Sequence, residues 1–213
     1  MKNIGLVVSV AAVSLVLSSP ADASPIISIG NVPQSGDENV LLSTGTLGNP
    51  LFGLTNQTGL SVQFLSDETL VAPSNGQARI EALDGSLTSL EVSIPGGSFT
   101  SLILNLDASA SGMVNFSARD TGGNPYTFDK VAVGGRGSNF FTFTTDGLPF
   151  AQISLVTDTP VVLTDAEQFR INGTGPANNQ EVPAAVPEPV SLLMVGSGLL
   201  GCAARLRRRV RKG

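Results

Sequence analysis

Any catalysis by this chain would have to rest on carboxylates, because it contains no histidine and its one cysteine, Cys202, lies in an apolar run. The missing imidazole removes Ser-His-Asp and Cys-His nucleophiles, histidine-ligated zinc and imidazole pH switches. Glycoside hydrolysis needs only two placed carboxylates. No pair stands out in the sequence, and no tryptophan offers a stacking platform for sugar rings. No catalytic residue and no cofactor is assigned. Asp120, Asn124 and Asp129 surround one turn and offer oxygens of the kind that hold calcium. Their spacing matches no ordered loop motif, and Asp and Asn serve turns without an ion, so no metal is assigned either.

Two glycine patterns also lack their chemical context. Gly196-Ser-Gly-Leu-Leu-Gly201 has dinucleotide-fingerprint spacing, but no acidic residue follows it. Ser197 and Gly201 instead form a small-xxx-small pair of the kind that lets helices approach. Gly134 to Gly137 lacks the Lys-Ser/Thr of a phosphate loop and reads as a hairpin turn. Asn56, Asn115 and Asn172 each begin an N-glycosylation acceptor triplet. The pattern arises readily by chance, and Asn115 falls inside a strand pattern.

What remains is the chemistry of an address. Val186-Pro187-Glu188-Pro189 sets one carboxylate between two prolines. Their fixed φ and missing N–H groups hold Glu188 extended, the form in which a protease binds a chain. An apolar run from Val190 to Ala204 follows, then the cations Arg205, Arg207, Arg208, Arg209, Arg211 and Lys212. As a helix, 190–204 reaches about 22 Å against a hydrocarbon core of about 30 Å, so it spans only with bilayer thinning and snorkelling arginines. The basic tail places that end in the cytoplasm by the positive-inside rule. At the other end, Lys2, the apolar stretch Ile4 to Leu17 and Ala21-Asp22-Ala23 read as a cleaved secretory signal over 1–23. The expected precursor is exported by Sec-type machinery and anchored in the inner membrane by its C-terminal helix.

These parts, in this order, resemble the PEP-CTERM sorting signal of exported bacterial proteins. The resemblance covers 186–213. It implies an exosortase-type processing enzyme as partner, delivery to the cell surface or extracellular matrix, and association with exopolysaccharide or biofilm.

Between the two signals, Arg79, Arg119, Lys130, Arg136 and Arg170 are the only cations against fifteen carboxylates, a net charge of −10. Such a surface repels nucleic acid and excludes it as a partner. This portion holds no cysteine, so its fold relies on core packing without a disulfide.

That core is written in period two. Leu102, Leu104 and Leu106 alternate with Ile103 and Asn105, Phe141 and Phe143 with Thr142 and Thr144, and Val114, Phe116 and Ala118 with Asn115 and Ser117. Strands are expected at 62–65, 78–83, 87–94, 99–106, 113–119, 126–133, 139–145, 150–156 and 168–171. Asp84-Gly85, Pro95-Gly-Gly97, 121–125, 134–137 and Asp146-Gly147 serve as turns. The first fifty residues after Ser24 read as an entry strand and loops, and 163–171 as opening on a helical turn capped by Thr164 or Asp165. The pattern predicts an all-β antiparallel sandwich, jelly-roll-like, over 24–171, with a flexible linker at 172–185. The segment 99–171 also resembles exported bacterial jelly-roll domains that precede such tails. The functional expectation is a non-enzymatic surface or matrix protein, with a carbohydrate-binding module using polar loops near Tyr126 as the alternative and a glycan-cleaving enzyme as a third reading.

In a host that has the sorting enzyme, the mature protein is expected to lose its helix and arginine tail. Glu188→Ala or Pro187→Ala should leave an uncleaved, membrane-retained form. Intact-mass analysis of the surface fraction checks this, and a mature wild-type protein still ending at Gly213 would overturn it.

Overall fold

A computed structural model describes residues 24–135, 137–158 and 162–175. The signal peptide with Ala21 and Ala23, the linker beyond 175, and the sorting motif with its helix and basic tail lie outside the described residues. Among the described residues every strand pairing is antiparallel, and no helix occurs. The described part of the chain is all-β, as its period-two pattern requires.

The strands form two facing layers. One runs β1 (Ile26–Ile29), β13 (Asn139–Thr144), β10 (Ser98–Ala108), β15 (Leu163–Thr174), β8 (Arg79–Ala82), β6 (Leu70–Val71) and β3 (Leu47–Gly48). The other runs β12 (Pro125–Val133), β11 (Gly112–Asp120), β14 (Phe150–Asp158), β9 (Ser89–Ser93), β5 (Ser61–Leu65) and β4 (Leu51–Thr55). Strand β2 (Glu38–Leu42) joins them at one side by pairing with both β4 and β15, and carries the two-residue β7 (Gly76–Gln77). At another corner β10 meets β14 through Phe99 and Phe150. Gly53 on β4 is required at the β2 junction, since a Cβ there would stand 2.7 Å from Val40 Cγ1 and 2.9 Å from the Leu41 carbonyl.

Aromatic rings lock the layers together. Phe64 of β5 meets Phe169 of β15 edge-on at 4.9 Å. Phe116 of β11 lies 5.0 Å from Phe141 and 5.1 Å from Phe143, both on β13. These contacts add to the area their rings remove from water. The expected inward residues Leu102, Leu104, Leu106, Val114, Phe116, Ala118, Phe141 and Phe143 are all buried.

Three expectations need correction. The first fifty residues after Ser24 hold six strands, β1 to β6, of which only β5 was expected beyond an entry strand and loops. The others are two to five residues long, and their Gly- and Ser-rich surroundings hide the alternation. Second, β10 is buried on both faces, because residues 30–37 cross its outer side and that of β13. Thr142 Oγ1 donates to the Gly30 carbonyl at 2.7 Å and accepts from Val32 N at 3.1 Å, while Ser101 Oγ donates to Asp37.

Third, the expected helical turn at 163–171 is part of strand β15, which also continues past Ile171 to Thr174. Leu163, Ala166 and Phe169 are all fully buried, a three-residue spacing that mimics a helix. A strand can bury that series only by inserting extra residues. The ladder to β10 shifts between Asp107 and Ala108, where Thr164 is extra, and again between Ile103 and Asn105, where Gln168 sits at φ 56°.

Phe116→Ala is expected to cost about 3–5 kcal/mol, because the ring is fully buried between the layers and leaves a cavity there. Ser117→Ala, one residue along on the opposite face, should stay within about 0.5 kcal/mol. Paired denaturant titrations check the contrast, and equal losses would show that the facing is wrong.

Candidate functional site

Cross-strand partners lie on the same side of a sheet, so the register identifies what each layer shows to solvent. On the outer side of the β4–β11 layer, one row reads Phe52, Gln63, Ser93, Gln152 and Arg119 across β4, β5, β9, β14 and β11. The next row reads Leu65, Glu91, Ser154, Ser117 and Thr127, reaching β12. At about 4.8 Å between strands, five of them span roughly 19 Å. Core residues such as Val62, Phe64, Val92, Ile153 and Phe116 occupy the alternate positions and make the platform rigid.

The face is polar and prearranged. Gln152 Nε2 donates to Glu91 Oε2 at 3.0 Å, which orients both side chains across β9 and β14. Ser154 Oγ donates to the same oxygen at 3.5 Å. Arg119 NH1 donates to the Gly123 carbonyl at 3.3 Å, holding the guanidinium at the β11 end of the row. Phe52, 50 % exposed, closes the other end with an apolar ring. Amides, hydroxyls, one carboxylate and one guanidinium in register offer donors and acceptors to a flat, hydroxyl-rich ligand. Sequence reading missed this face because its residues come from five separate strands and none carries a motif.

The turn singled out for calcium is closed by its own hydrogen bonds. Asp120 accepts from Asn124 N at 2.9 Å, Asn124 Nδ2 at 2.8 Å and the Tyr126 hydroxyl at 2.9 Å. Asn124 thus presents its donor to Asp120, while Asp129 is exposed on β12. Tyr126 is half-buried against the core. Burial by itself would raise the Asp120 carboxyl, but the hydrogen bonds from Asn124 and Tyr126 hold it below the ordinary carboxylate value. The three acceptor asparagines also have structural partners: Asn56 Oδ1 takes Asn39 N, Asn115 Oδ1 takes Lys130 N, and Asn172 Nδ2 donates to the Ser35 carbonyl.

The other layer gathers charge on its outer side. Arg79 and Glu81 on β8, Asp165 and Glu167 on β15, and Asn105 and Asp107 on β10 face the same way, with Asn105 opposite Glu167 and Asp107 opposite Asp165. Arg79 bridges Asp165 at 2.9 Å and Glu81 at 3.1 Å. Burial raises the Asp165 carboxyl, Arg79 opposes that, and Asp107 and Glu167 push it up again. Asp165 is 1 % exposed, which closes it to a sugar ring as a glycosidase carboxylate.

No family model matches the chain, and no curated protein matches it. Among solved structures it is similar to family 29 carbohydrate-binding modules. A point variant of one such module, complexed with cellulohexaose, is 15 % identical, with 73 % of this chain and 94 % of that chain covered and a TM-score of 0.30. A second point variant, complexed with mannohexaose, is 13 % identical, at 73 % and 94 % coverage and a TM-score of 0.27. A further family 29 module is 14 % identical, at 71 % and 90 % coverage and a TM-score of 0.29. Scores this low establish no shared topology, and the oligosaccharides belong to those modules.

The lowered Asp120 pKa fixes the sign of one pH effect. A carboxyl whose pKa falls on folding contributes stability above its unfolded pKa and loses it as pH drops through the folded value. Asp120→Asn should therefore melt below wild type at neutral pH, and the gap should narrow in strong acid. Thermal melts across the acid range check this, and a gap independent of pH would count against it.

Proposed function

We propose that this chain is an exported, non-enzymatic protein of the cell surface or extracellular matrix that holds exopolysaccharide on the outer side of its β4–β11 layer. The observation that carries the reading is the five-strand row Phe52, Gln63, Ser93, Gln152 and Arg119. Its length suits several sugar units, its amide and guanidinium groups suit hydroxyls, and its rigid backing keeps the ordering cost of binding low. The low aromatic content points to recognition by hydrogen bonding along the strand row, with Phe52 offering one stacking surface at its end. A jelly-roll-like sandwich is the scaffold in this reading.

The termini support the setting. A secretory leader at one end, and at the other Pro187-Glu188-Pro189, a short apolar helix and an arginine tail, suit an inner-membrane-anchored precursor that an exosortase-type enzyme passes to the surface. The net charge of −10 between the signals favours neutral glycans or glycans bridged by cations over strongly anionic ones.

The test is binding of the full chain to a panel of soluble polysaccharides, followed by Gln152→Ala and Arg119→Ala. Each truncation should weaken the best ligand about three- to tenfold, the effect of losing one hydrogen bond. Leu47→Ala, on an exposed side chain of β3 in the opposite layer, should leave binding unchanged. Binding that survives both row variants, or none to any polysaccharide, would overturn the assignment.

A further inference from the structure

The acidic group on the layer opposite the proposed polysaccharide face is unusual in being held together by the ladder itself. One carboxylate oxygen from each of Asp107, Asp165 and Glu167 lies within 4.8 Å of the others. Surface carboxylates in that situation swing apart. Here Asp107 and Asp165 are direct cross-strand partners, and Glu167 is two residues along the same strand as Asp165, so backbone register keeps them together. Arg79 answers part of the charge, but it is shared between Asp165 Oδ2 and Glu81 Oε1.

A second, independent observation concerns acceptors without donors. Asn105 is 1 % exposed, and its Nδ2 donates to Glu167 Oε1 at 3.0 Å, which places its amide at the cluster. Its Oδ1 is buried and has no hydrogen-bond partner. Asp165 is likewise 1 % exposed; Arg79 occupies its Oδ2, and its Oδ1 is buried without a partner. Buried acceptors that gain no donor are rare in folded proteins, because the water they lose is not replaced. Two of them belong to side chains of this carboxylate cluster, where Arg79 Nε is also buried without a partner, and a cation held there would relieve the repulsion and give unpartnered oxygens a ligand role.

The geometry points to a divalent-cation site, suited to calcium, formed by Asn105 Oδ1, Asp107, Asp165 Oδ1 and Glu167. Every donor is oxygen, with no imidazole or thiolate, which disfavours zinc and copper. Calcium accepts six to eight oxygens in flexible geometry and lets water complete the shell, whereas magnesium demands a near-ideal octahedron. Arg79 keeps its own oxygen of Asp165 and need not be displaced. Asp107 and Glu167 are only half-buried, which gives the ion a way in. Bound there, it ties β10 to β15, the two longest strands, in a domain with no disulfide.

The full chain, purified in mild detergent and stripped with a chelator, should melt roughly 5 °C higher once millimolar calcium saturates the site. Sodium chloride at matched ionic strength should not reproduce the rise. Asp107→Asn and Glu167→Gln, both at half-buried positions that leave the Arg79–Asp165 pair intact, should fold and each lose most of the shift. Titration calorimetry should show calcium binding in wild type, weakened at least tenfold in either variant. An equal melting temperature with calcium and with sodium would overturn the site. So would a calcium shift that persists undiminished in both variants, since the ion would then bind elsewhere.

Discussion

The pairing of β10 with β15 is the constraint from which the rest of this molecule follows. These strands are the longest in the structure and lie next to each other in the middle of one layer. Leu102, Leu104 and Leu106 present a regular period-two face, whereas Leu163, Ala166 and Phe169 recur every third residue. The two series can share one core only if β15 carries extra residues. The bulges at Thr164 and Gln168 supply them, at the cost of a positive φ at Gln168. Phe169 thereby reaches Phe64 in the facing layer.

The same bulges decide what stands on the outside of that layer. By holding Ala166 inward, they turn Asp165 and Glu167 outward, opposite Asp107 and Asn105 on β10 and beside Arg79 on β8. An acidic cluster with buried, unpartnered acceptors is thus a consequence of how an apolar series was fitted to a strand. The opposite layer has no such conflict. Its register shifts fall at the margins, beside Lys130 between β11 and β12 and past Arg119 between β11 and β14, so the rows between them form a flat array of Gln, Ser, Glu and Arg. One sandwich therefore carries two chemically different faces: an even polar platform and a concentrated charge held rigidly in place.

Stability rests on contacts between these layers. With no cysteine among residues 24–175, the interlayer phenylalanines must hold the layers together, and they do so in three groups, around Phe64, around Phe116 and at the Phe99–Phe150 pair. The N-terminal segment adds a strap over β10 and β13, tied by Thr142 and Ser101. Strand β2 then closes the side between β4 and β15. The polar row on β4 to β11 lies on the side away from both strap and cluster, which leaves it open.

The sequence by itself determined the all-β class, strands β5 and β8 to β14, the inward faces of β10, β11 and β13, and the turns between those strands. Each of those rests on local alternation and Gly/Pro chemistry within ten or so residues. The proposed export and sorting rest on the sequence alone, since Ala21, Ala23, Pro187, Glu188 and the arginine tail would act as linear signals. Tertiary structure alone decided the rest. The helix-like spacing at 163–171 became a bulged strand because only its pairing with β10 could bury Phe169 and Ala166 together. Tyr126 faces inward because it lies opposite the buried Ala118, and the polar row came into being because Phe52 and Arg119, 67 positions apart in the numbering, fall on one line of a sheet. Register between distant strands is fixed by the global fit of the core, and no local pattern encodes it.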